Sequence, residues 1–394
     1  MTTPWPIAAW TMTSALGLGN EAHLQALLAG RSGLRRQRFE TAHFDAWLGV
    51  VGGVDEVALP EALRTYDCRN NRLAWLGLQA DGFARQVRRA AERHGAHRVG
   101  VFMGTSTSGI LQTEQAYRRR DPANGALPAD FDYAHTHNTA SVARFTRDAL
   151  GLQGPAWAVS TACSSGAKVF GCAARLLDLG VIDAAVVGGV DSLCLTTLYG
   201  FNSLELVSPD ICRPWDAGRR GLSLGEAAAF ALLERRADAP VAWLKGVGES
   251  SDGHHMSSPL PDGAGAALAM RHALAQAGLA AAEVGYINLH GTATANNDAA
   301  EDQAVCAVFP GTPCSSTKGA TGHTLGAAGA LEAGISLMAL RHGFMPGGGT
   351  RQTPDPALHA AYLAESRPAA LRHVASNSFG FGGSNTCLVF GGAA

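Results

Sequence analysis

The sequence predicts an α/β protein built from two similar halves, and three observations favour this. Apolar runs of strand length alternate with helix-length runs, an order typical of mixed sheets covered by helices on both faces. Two segments, "STACSSGAKVFGCAARLLDLG" (160–180) and "STKGATGHTLGAAGALEAGIS" (316–336), share a Ser-Thr start, a small-residue turn and an Ala/Gly-rich helix. The 394 residues exceed one ordinary core, and 48 glycines indicate close backbone packing.

The elements follow from the apolar pattern along the chain. The predicted strands are 98–104, 155–160, 183–190, 227–234, 284–291, 372–380 and 385–391. The predicted helices are 69–94, 138–149, 163–179, 264–278, 298–307 and 324–342. The helices in the two similar segments are too apolar and small-sided for a surface position, so we expect them to pack back to back at the centre.

The division between the halves is predicted near Asp238–Pro240, a plausible connector. Residues 1–240 then form an N-terminal half and residues 241–394 a C-terminal half.

Composition excludes several classes of protein. A net charge of −2 argues against a nucleic-acid-binding protein. The eight cysteines form no C-x-x-C pair or Cys/His cluster, which argues against a disulfide framework or a zinc site. The opening "MTTPWPIAAW" has no signal-peptide pattern and no run of about 18 apolar residues occurs, so a cytoplasmic protein without membrane insertion is expected.

Cys163 stands where an apolar strand gives way to a helix. The unpaired N–H groups and the macrodipole at a helix start favour an anion, so the sequence predicts that the thiolate there becomes accessible at lower pH. A lone cysteine is more often a small buried hydrophobe, as expected for Cys172 and Cys194. Other motifs must therefore decide the role of Cys163.

Three further motifs accompany this cysteine. "NLHGTATANND" places His290 at a strand end, "SSTKGATGHTLGAAGALEA" carries Lys318, His323 and Glu332, and "SNSFGFGGSN" is a glycine-rich turn between two strands. Each alone is as readily structural as functional. Together they suit acyl chemistry: a cysteine can hold an acyl group as a thioester, and neutral imidazoles can donate to an enolate. A glycine-rich turn can bring a backbone N–H against a thioester carbonyl.

These motifs, with "TACSSG", "RPWDAGRRGLSLGEAAAFALLE" and "HMSSPLPDGAGAALAM", stand in the order typical of one family. The chain resembles the β-ketoacyl-[acyl-carrier-protein] synthases of fatty-acid and polyketide pathways, over about residues 5–391. The resemblance implies a thiolase-like fold with α-β-α-β-α layers. It also implies decarboxylative condensation of an acyl-enzyme thioester with a malonyl group on a carrier protein.

The resemblance also implies residue roles. Cys163 matches the acylated nucleophile, and His290 and His323 match the pair that promotes decarboxylation. Lys318 and Glu332 match supporting charged residues. The backbone N–H groups of Cys163 and Phe381 match an oxyanion hole, and Phe381 matches a gate. No metal or redox cofactor is implied, because the substrates arrive on a phosphopantetheine arm.

Further positions are carried over for substrate and carrier. Thr292 and Thr294 match threonines that hydrogen-bond the pantetheine arm. The remaining expected substrate contacts are Thr107, Phe201, Tyr133 and His135, and the expected carrier-docking residues are Arg69 and Arg72. Two features depart from the family pattern: "ANND" (295–298) follows the second threonine, and Lys168 places a charge in a helix that is normally buried.

The expected partners are an acyl carrier protein and a second copy of the chain, paired through the edge of strand 183–190 or 155–160. A heterodimer with a chain-length-factor-like subunit is the alternative. In relatives the segment matching "DYAHTHN" lines the partner's acyl pocket. A non-decarboxylating thiolase is disfavoured, because "NSFGFGG" holds no second cysteine. The sequence leaves the acyl chain and the pathway open between fatty acids, polyketides and aryl polyenes.

Overall fold

The structure, a computed structural model, describes residues 4–393. Residues 1–3 and 394 lie outside the described part. The first three belong to "MTTPWPIAAW", the segment in which no signal-peptide pattern was found. The strands within 4–393 are β1 (Trp5–Ser14), β2 (Gly17–Leu18), β3 (Arg35–Gln37), β4 (Ala46–Gly49), β5 (Val99–Gly104), β6 (Ala156–Val159), β7 (Ala184–Asp191), β8 (Leu224–Gly225), β9 (Ala227–Glu234), β10 (Ala242–Ser251), β11 (Tyr286–Asn288), β12 (Cys314–Ser315), β13 (Phe344–Met345), β14 (Arg367–Pro368), β15 (His373–Gly380) and β16 (Ser384–Gly392).

The helices cover the sheet and fill its centre. The α-helices are α1 (Gly19–Leu28), α2 (Arg69–Gln79), α3 (Phe83–His94), α4 (Ile110–Arg118), α5 (Ser141–Ala149), α6 (Ser165–Asp178), α7 (Leu195–Ser203), α8 (Ala264–Ala277), α9 (Ala295–Val308), α10 (Lys318–Thr321) and α11 (Ala328–His342).

Two sets of five strands repeat one topology. The spatial order is β6-β5-β7-β9-β1 in the first set and β12-β11-β15-β16-β10 in the second. Numbered by position in the chain, both sets read 3-2-4-5-1. In each set the first three strands are parallel and the last two pair antiparallel. A short antiparallel pairing of β1 with β10 joins the sets into one sheet. The prediction of two equivalent halves with mixed sheets is confirmed.

The two similar segments form the central layer. Helices α6 and α11 share one apolar core with strands of both sets. A Cβ on Gly166 would lie 2.7 Å from the Gly326 carbonyl oxygen, and one on Gly329 would lie 2.6 Å from the Ala167 nitrogen. Such close approach requires glycine. Helices α2, α3 and α5 cover one outer face, and α8 and α9 cover the other, which completes the α-β-α-β-α layers.

Some boundaries differ from the prediction. The helix predicted over 69–94 is two helices, because Asp81 (φ 52°) and Gly82 (φ 67°) adopt left-handed conformations between α2 and α3. Strand β7, offered as a pairing edge, lies inside the sheet between β5 and β9. That part of the prediction is wrong. Strand β6 is at the end of the sheet, with Trp157 51% exposed.

Candidate active site

Cys163 sits in a strained turn between β6 and α6. The preceding Ala162 has φ 52°, a conformation that costs energy in a residue other than glycine. Two serines stabilise the turn: Ser164 Oγ donates to the Thr161 carbonyl at 2.8 Å, and Ser165 Oγ donates to the Ala162 carbonyl at 2.5 Å. The result is a thiol that is 5% exposed and held in one direction.

The structure brings both predicted histidines to this thiol. His323 Nε2 lies 2.9 Å from Cys163 Sγ. The rings of His290 and His323 are 5.3 Å apart between centroids and nearly perpendicular, at 85°. Among residues 4–393, one donor atom each from Cys163, His290 and His323 lies within 4.8 Å of the others. A thiol and two imidazoles therefore share one buried point.

Burial sets the protonation of this group. It raises the pKa of Cys163 to about 12, although the Lys318 ammonium opposes the shift. Burial also lowers the pKa of His290 and of His323 well below the usual range, and the Lys318 charge adds to both shifts. At neutral pH the site holds a thiol beside two neutral imidazoles. The helix start was expected to lower the pKa of this thiol, whereas loss of solvation raises it.

Lys318 connects His290 to the central helix α11. Its ammonium is buried and donates to the backbone carbonyl of His290 and to Glu332 Oε1. Burial raises the pKa of Glu332 to about 7, and the Lys318 charge opposes that shift. Since α11 carries Glu332, the pair attaches the loop after β11 to the middle of the molecule. The predicted supporting pair is thus in contact with the site.

Sequence reasoning missed Glu301, on α9. Its carboxylate accepts from the backbone N–H of His290 at 2.8 Å and of Gly291 at 2.7 Å, and from Asn377 Nδ2 at 3.1 Å. Burial raises its pKa to about 7. An acidic residue within a helix ordinarily faces solvent, so only the apolar surroundings at the end of "HGTATANNDAAE" could have revealed this position.

Asp191, at the end of β7, was also missed. It accepts from Thr105 Oγ1 at 2.7 Å and from the Gly326 N–H at 2.6 Å. It further accepts from Thr107 through both N–H and Oγ1, each at 2.9 Å. Thr107 is buried in these contacts and does not line the cavity described below. Its expected role as a substrate contact conflicts with this placement, because its hydroxyl is already committed to Asp191.

The turn between β15 and β16 closes over the nucleophile. A Cβ on Gly380 would lie 2.5 Å from the Thr161 carbonyl oxygen, so only glycine permits this approach. The Phe381 N–H is directed at the Cys163 thiol, where it opposes the rise in its pKa. The Phe381 side chain is 36% exposed, and its ring lies 5.6 Å from that of Phe201. Phe381 therefore presents an amide to the thiol and a ring to the cavity.

A cavity of about 390 Å³ leads to this group. Its inner part is lined by Cys163, both histidines and three phenylalanines (Phe201, Phe379 and Phe381). Thr292 and Thr294 lie on its wall, with their hydroxyls 2.9 Å apart. The other polar lining residues are Glu205, Arg219, Arg220, Asp252, Ser257, Ser258, Asn296, Asn297 and Asn385. The "ANND" segment, which departs from the family pattern, thus contributes two asparagines to the same wall as the threonines.

Tyr133 and His135 lie elsewhere, in a π-helical turn over Tyr133–His137. Tyr133 is 57% exposed, and His135 Nδ1 lies 2.6 Å from Asp132 Oδ2. Neither lines the cavity of this single chain.

Arg69 does not face solvent. Its guanidinium is buried and donates to Glu226 at 2.6 and 3.0 Å and to Asp55 at 2.6 Å. A buried carboxylate requires a paired cation, so α2 directs Arg69 inward. A carrier-docking role for Arg69 is therefore wrong. Arg72 is 27% exposed and donates to both oxygens of Asp67, which occupies its charge.

The unusual Lys168 is also paired. Its ammonium lies 3.2 Å from Glu249, and Arg175 contacts the other oxygen of that carboxylate at 2.9 Å. A structural ion pair accounts for this charge.

Comparison with known proteins gives consistent matches. Residues 72–239 match the family model "Beta-ketoacyl synthase, N-terminal domain", and residues 241–348 match "Beta-ketoacyl synthase, C-terminal domain". The 3-oxoacyl-[acyl-carrier-protein] synthase 2 of Vibrio cholerae is 33% identical over 408 residues, 96% of each chain. The mitochondrial 3-oxoacyl-[acyl-carrier-protein] synthase of Arabidopsis thaliana is 40% identical over 262 residues, 61% of this chain and 57% of that protein.

A solved structure shows the same architecture. The ketosynthase in complex with its chain length factor from Xenorhabdus doucetiae matches with a TM-score of 0.91 and 39% sequence identity, and the match covers 100% of both chains. No helix in residues 4–393 is long and apolar enough to cross a membrane.

Proposed function

Because this chain belongs to the beta-ketoacyl synthase family, we propose that it condenses an acyl group held on Cys163 with a malonyl group that loses carbon dioxide. One observation carries the proposal: a thiol, two neutral imidazoles and a backbone N–H converge at the inner end of one cavity. The chemistry is carried by side chains, so no metal or redox cofactor is needed.

Acyl transfer is the first step. Cys163 Sγ attacks the carbonyl of the incoming thioester, and the N–H groups of Cys163 and Phe381 stabilise the oxyanion. His323 Nε2, at 2.9 Å, accepts the thiol proton as the new S–C bond forms. As the old C–S bond breaks, the proton passes to the departing pantetheine thiol. A neutral imidazole is required, and the lowered pKa of His323 supports one at neutral pH.

Decarboxylation and condensation follow. The bond between the malonyl carboxylate and its methylene carbon breaks, carbon dioxide leaves, and an enolate remains. N–H groups of the neutral His290 and His323 donate to the enolate oxygen. The carbanion then attacks the acyl carbonyl on Cys163, the C–S bond to Cys163 breaks, and the 3-oxoacyl product forms. The departing Cys163 thiolate takes up one proton from solvent, which restores the thiol. Lys318 positions His290 through its backbone and keeps both rings neutral.

The substrates arrive on the phosphopantetheine arm of an acyl carrier protein. The hydroxyls of Thr292 and Thr294 bind the amides of the arm on the cavity wall, and the Phe381 ring, against Phe201, gates malonyl entry. The relatives named 3-oxoacyl-[acyl-carrier-protein] synthases support this choice of carrier.

We further propose that the chain works as a dimer through the edge of β6, which places Tyr133 and His135 against the partner's acyl pocket. Pairing there would cover the free N–H and C=O groups of that edge. The partner is a second copy or a chain-length-factor-like subunit, and the Xenorhabdus doucetiae complex favours the second choice. Each protomer consists of the halves 1–240 and 241–394.

The test is a condensation assay with a purified acyl carrier protein. The protein is supplied with acyl carrier and with malonyl carrier labelled in its free carboxylate, and released carbon dioxide and 3-oxoacyl product are measured. One carbon dioxide for each product supports the proposal. Chain extension without loss of label would indicate a different reaction. Light scattering, with and without a candidate second subunit, decides between homodimer and heterodimer.

A further inference from the structure

Two consecutive arginines on the cavity wall have different surroundings. The side chain of Arg219 is 10% exposed; it donates to the Asp216 carbonyl at 3.0 Å and pairs with Asp355 and with Asp298 at 3.7 Å. Arg220 is 61% exposed, and its ion pair is with a surface carboxylate. The guanidinium of Arg219 is therefore paired within the protein, whereas Arg220 presents its guanidinium to solvent beside the cavity.

Arg220 belongs to a small basic cluster. Its hydrogen bond is the main cause of the lowered pKa of Asp210, and the charges of Arg213 and Arg36 add to that effect. Three guanidinium groups thus face one carboxylate. In this cluster three arginines stand against Asp210 and the exposed Glu205 of the cavity wall, an excess of one positive charge. The other carboxylate of the cavity wall, Asp252, accepts from Asn385 Nδ2 at 2.6 Å and from the Leu260 N–H at 3.1 Å. This side of the cavity suits an anion.

The same cavity carries Thr292, Thr294 and Cys163. If the arm lies along the threonines with its thioester at Cys163, its other end reaches the outer part of the cavity, and that end is a phosphodiester. We propose that Arg220 binds this phosphate, an inference that rests on the proposed function. Acidic side chains of the carrier are the alternative occupant, and donors that lack the carrier protein separate the two in the test below.

The chemistry of the pair favours this assignment. A guanidinium presents a planar fork of donors that matches a phosphate, and such charge-assisted contacts are stronger than neutral ones. Asp210 competes for the same donors, and solvent weakens the contact. We therefore expect a modest contribution, about a 10-fold effect on the rate of acyl transfer.

The test compares two small donors that lack the carrier protein. S-butyryl pantetheine and S-butyryl 4′-phosphopantetheine differ only in the phosphate, and intact-protein mass spectrometry follows the acylation of Cys163. In the native protein the phosphorylated donor should react about 10-fold faster. In Arg220→Ala the two donors should react at nearly equal rates.

Two further variants sharpen the result. Arg64→Ala is the matched control, because Arg64 is an exposed, ion-paired arginine that does not line the cavity; it should keep the native preference. Asp210→Asn should increase the preference, since a competing carboxylate is removed. If Arg220→Ala keeps the native preference for the phosphorylated donor, the inference is overturned. This holds even if the variant slows acylation by carrier-bound donors, because that result would indicate a contact with the carrier protein. Failure of both donors to acylate the native protein would overturn the proposed function and this inference with it.

Discussion

The two halves of the chain bury histidines in contrasting ways. In the N-terminal half, His23 is fully buried, with Nε2 2.8 Å from Ser14 Oγ and Nδ1 2.8 Å from the Gly19 carbonyl. In the C-terminal half, the Nδ1 atoms of His290 and His323 have no hydrogen-bond partner among residues 4–393. A histidine with both ring nitrogens bonded stabilises a fold. The rings of His290 and His323 instead line the cavity beside Cys163, with His323 Nε2 2.9 Å from its Sγ, so they can contact a substrate.

The contrast extends to the repeated scaffold. Both halves have the strand order 3-2-4-5-1 and a central small-residue helix, yet the N-terminal half supplies the thiol and the C-terminal half supplies both imidazoles and the Lys318–Glu332 pair. Duplication of the scaffold therefore brings two different turns, each at the start of a central helix, to one point. The asymmetry of the candidate site lies in the turns and not in the sheets.

The largest expected effect is loss of the nucleophile. Cys163→Ala should abolish condensation, because no acyl-enzyme can form. Cys163→Gln should still release carbon dioxide from malonyl carrier, because both imidazoles that stabilise the enolate remain in place. Cys172→Ala, on the same helix, is the control and should retain activity. Covalent acylation of the Cys163→Ala protein would show that another residue is the nucleophile.

The next effect separates the two histidines. His290→Ala and His323→Ala should each lower decarboxylation by about 100- to 10,000-fold. Acyl transfer should survive in His290→Ala and slow in His323→Ala, because only His323 contacts the thiol, whose pKa is raised to about 12. The two half-reactions are measured separately, by released carbon dioxide and by acyl-enzyme mass. Equal acyl transfer in both variants would mean that the thiol needs no imidazole base.

Much of this arrangement could be predicted from the sequence, because the apolar runs and the two Ser-Thr segments report the strands and central helices directly. Strands β1 and β10, which join the halves, were missed. The apolar run of "WPIAAWTMTS" contains a proline, which argues against a strand inside a sheet, and "AWLKGVGESS" has neither a long apolar run nor a strict alternation of apolar and polar residues. Pairing across the sheet, which local pattern does not report, defines them as strands.

The sequence predicted the thiol and the two imidazoles of the candidate site, but not the buried acids that hold the surrounding backbone. Cys163, His290 and His323 stand in recognisable motifs, whereas Asp191 and Glu301 act through backbone N–H groups that a sequence does not display. Arg69 was mistaken for a surface residue because its buried partner Glu226 is 157 positions away. Long-range pairing of charge is the information that was lacking.

A pH titration of stability tests the structural role of His23. Burial lowers its pKa to about 4, so the fold favours the neutral ring. The contribution of the neutral His23 ring to the free energy of unfolding is complete above pH 6.5 and is lost as the pH falls toward 4. Between pH 7 and pH 5 the free energy of unfolding should fall by about 2 kcal/mol more in the native protein than in His23→Gln. Chemical unfolding at each pH measures this, with the exposed His97→Gln as control. Parallel curves for native protein and His23→Gln would contradict the structural role.

The smallest effect compares a central helix with a peripheral one. In α6, a Cβ on Gly166 would lie 2.7 Å from the Gly326 carbonyl oxygen and 2.8 Å from the Ala330 nitrogen, and backbone atoms cannot move away cheaply. Gly166→Ala should therefore destabilise the fold by about 1–3 kcal/mol. In α7, a Cβ on Gly200 meets nothing within 4 Å. Gly200→Ala should stabilise the fold by about 0.5–1 kcal/mol, because alanine restricts the unfolded chain and favours helix. Urea unfolding midpoints measure both, and opposite signs are the expected outcome. A stabilising Gly166→Ala would mean that α6 and α11 are not in close backbone contact, and the central layer that brings the two turns together would need another explanation.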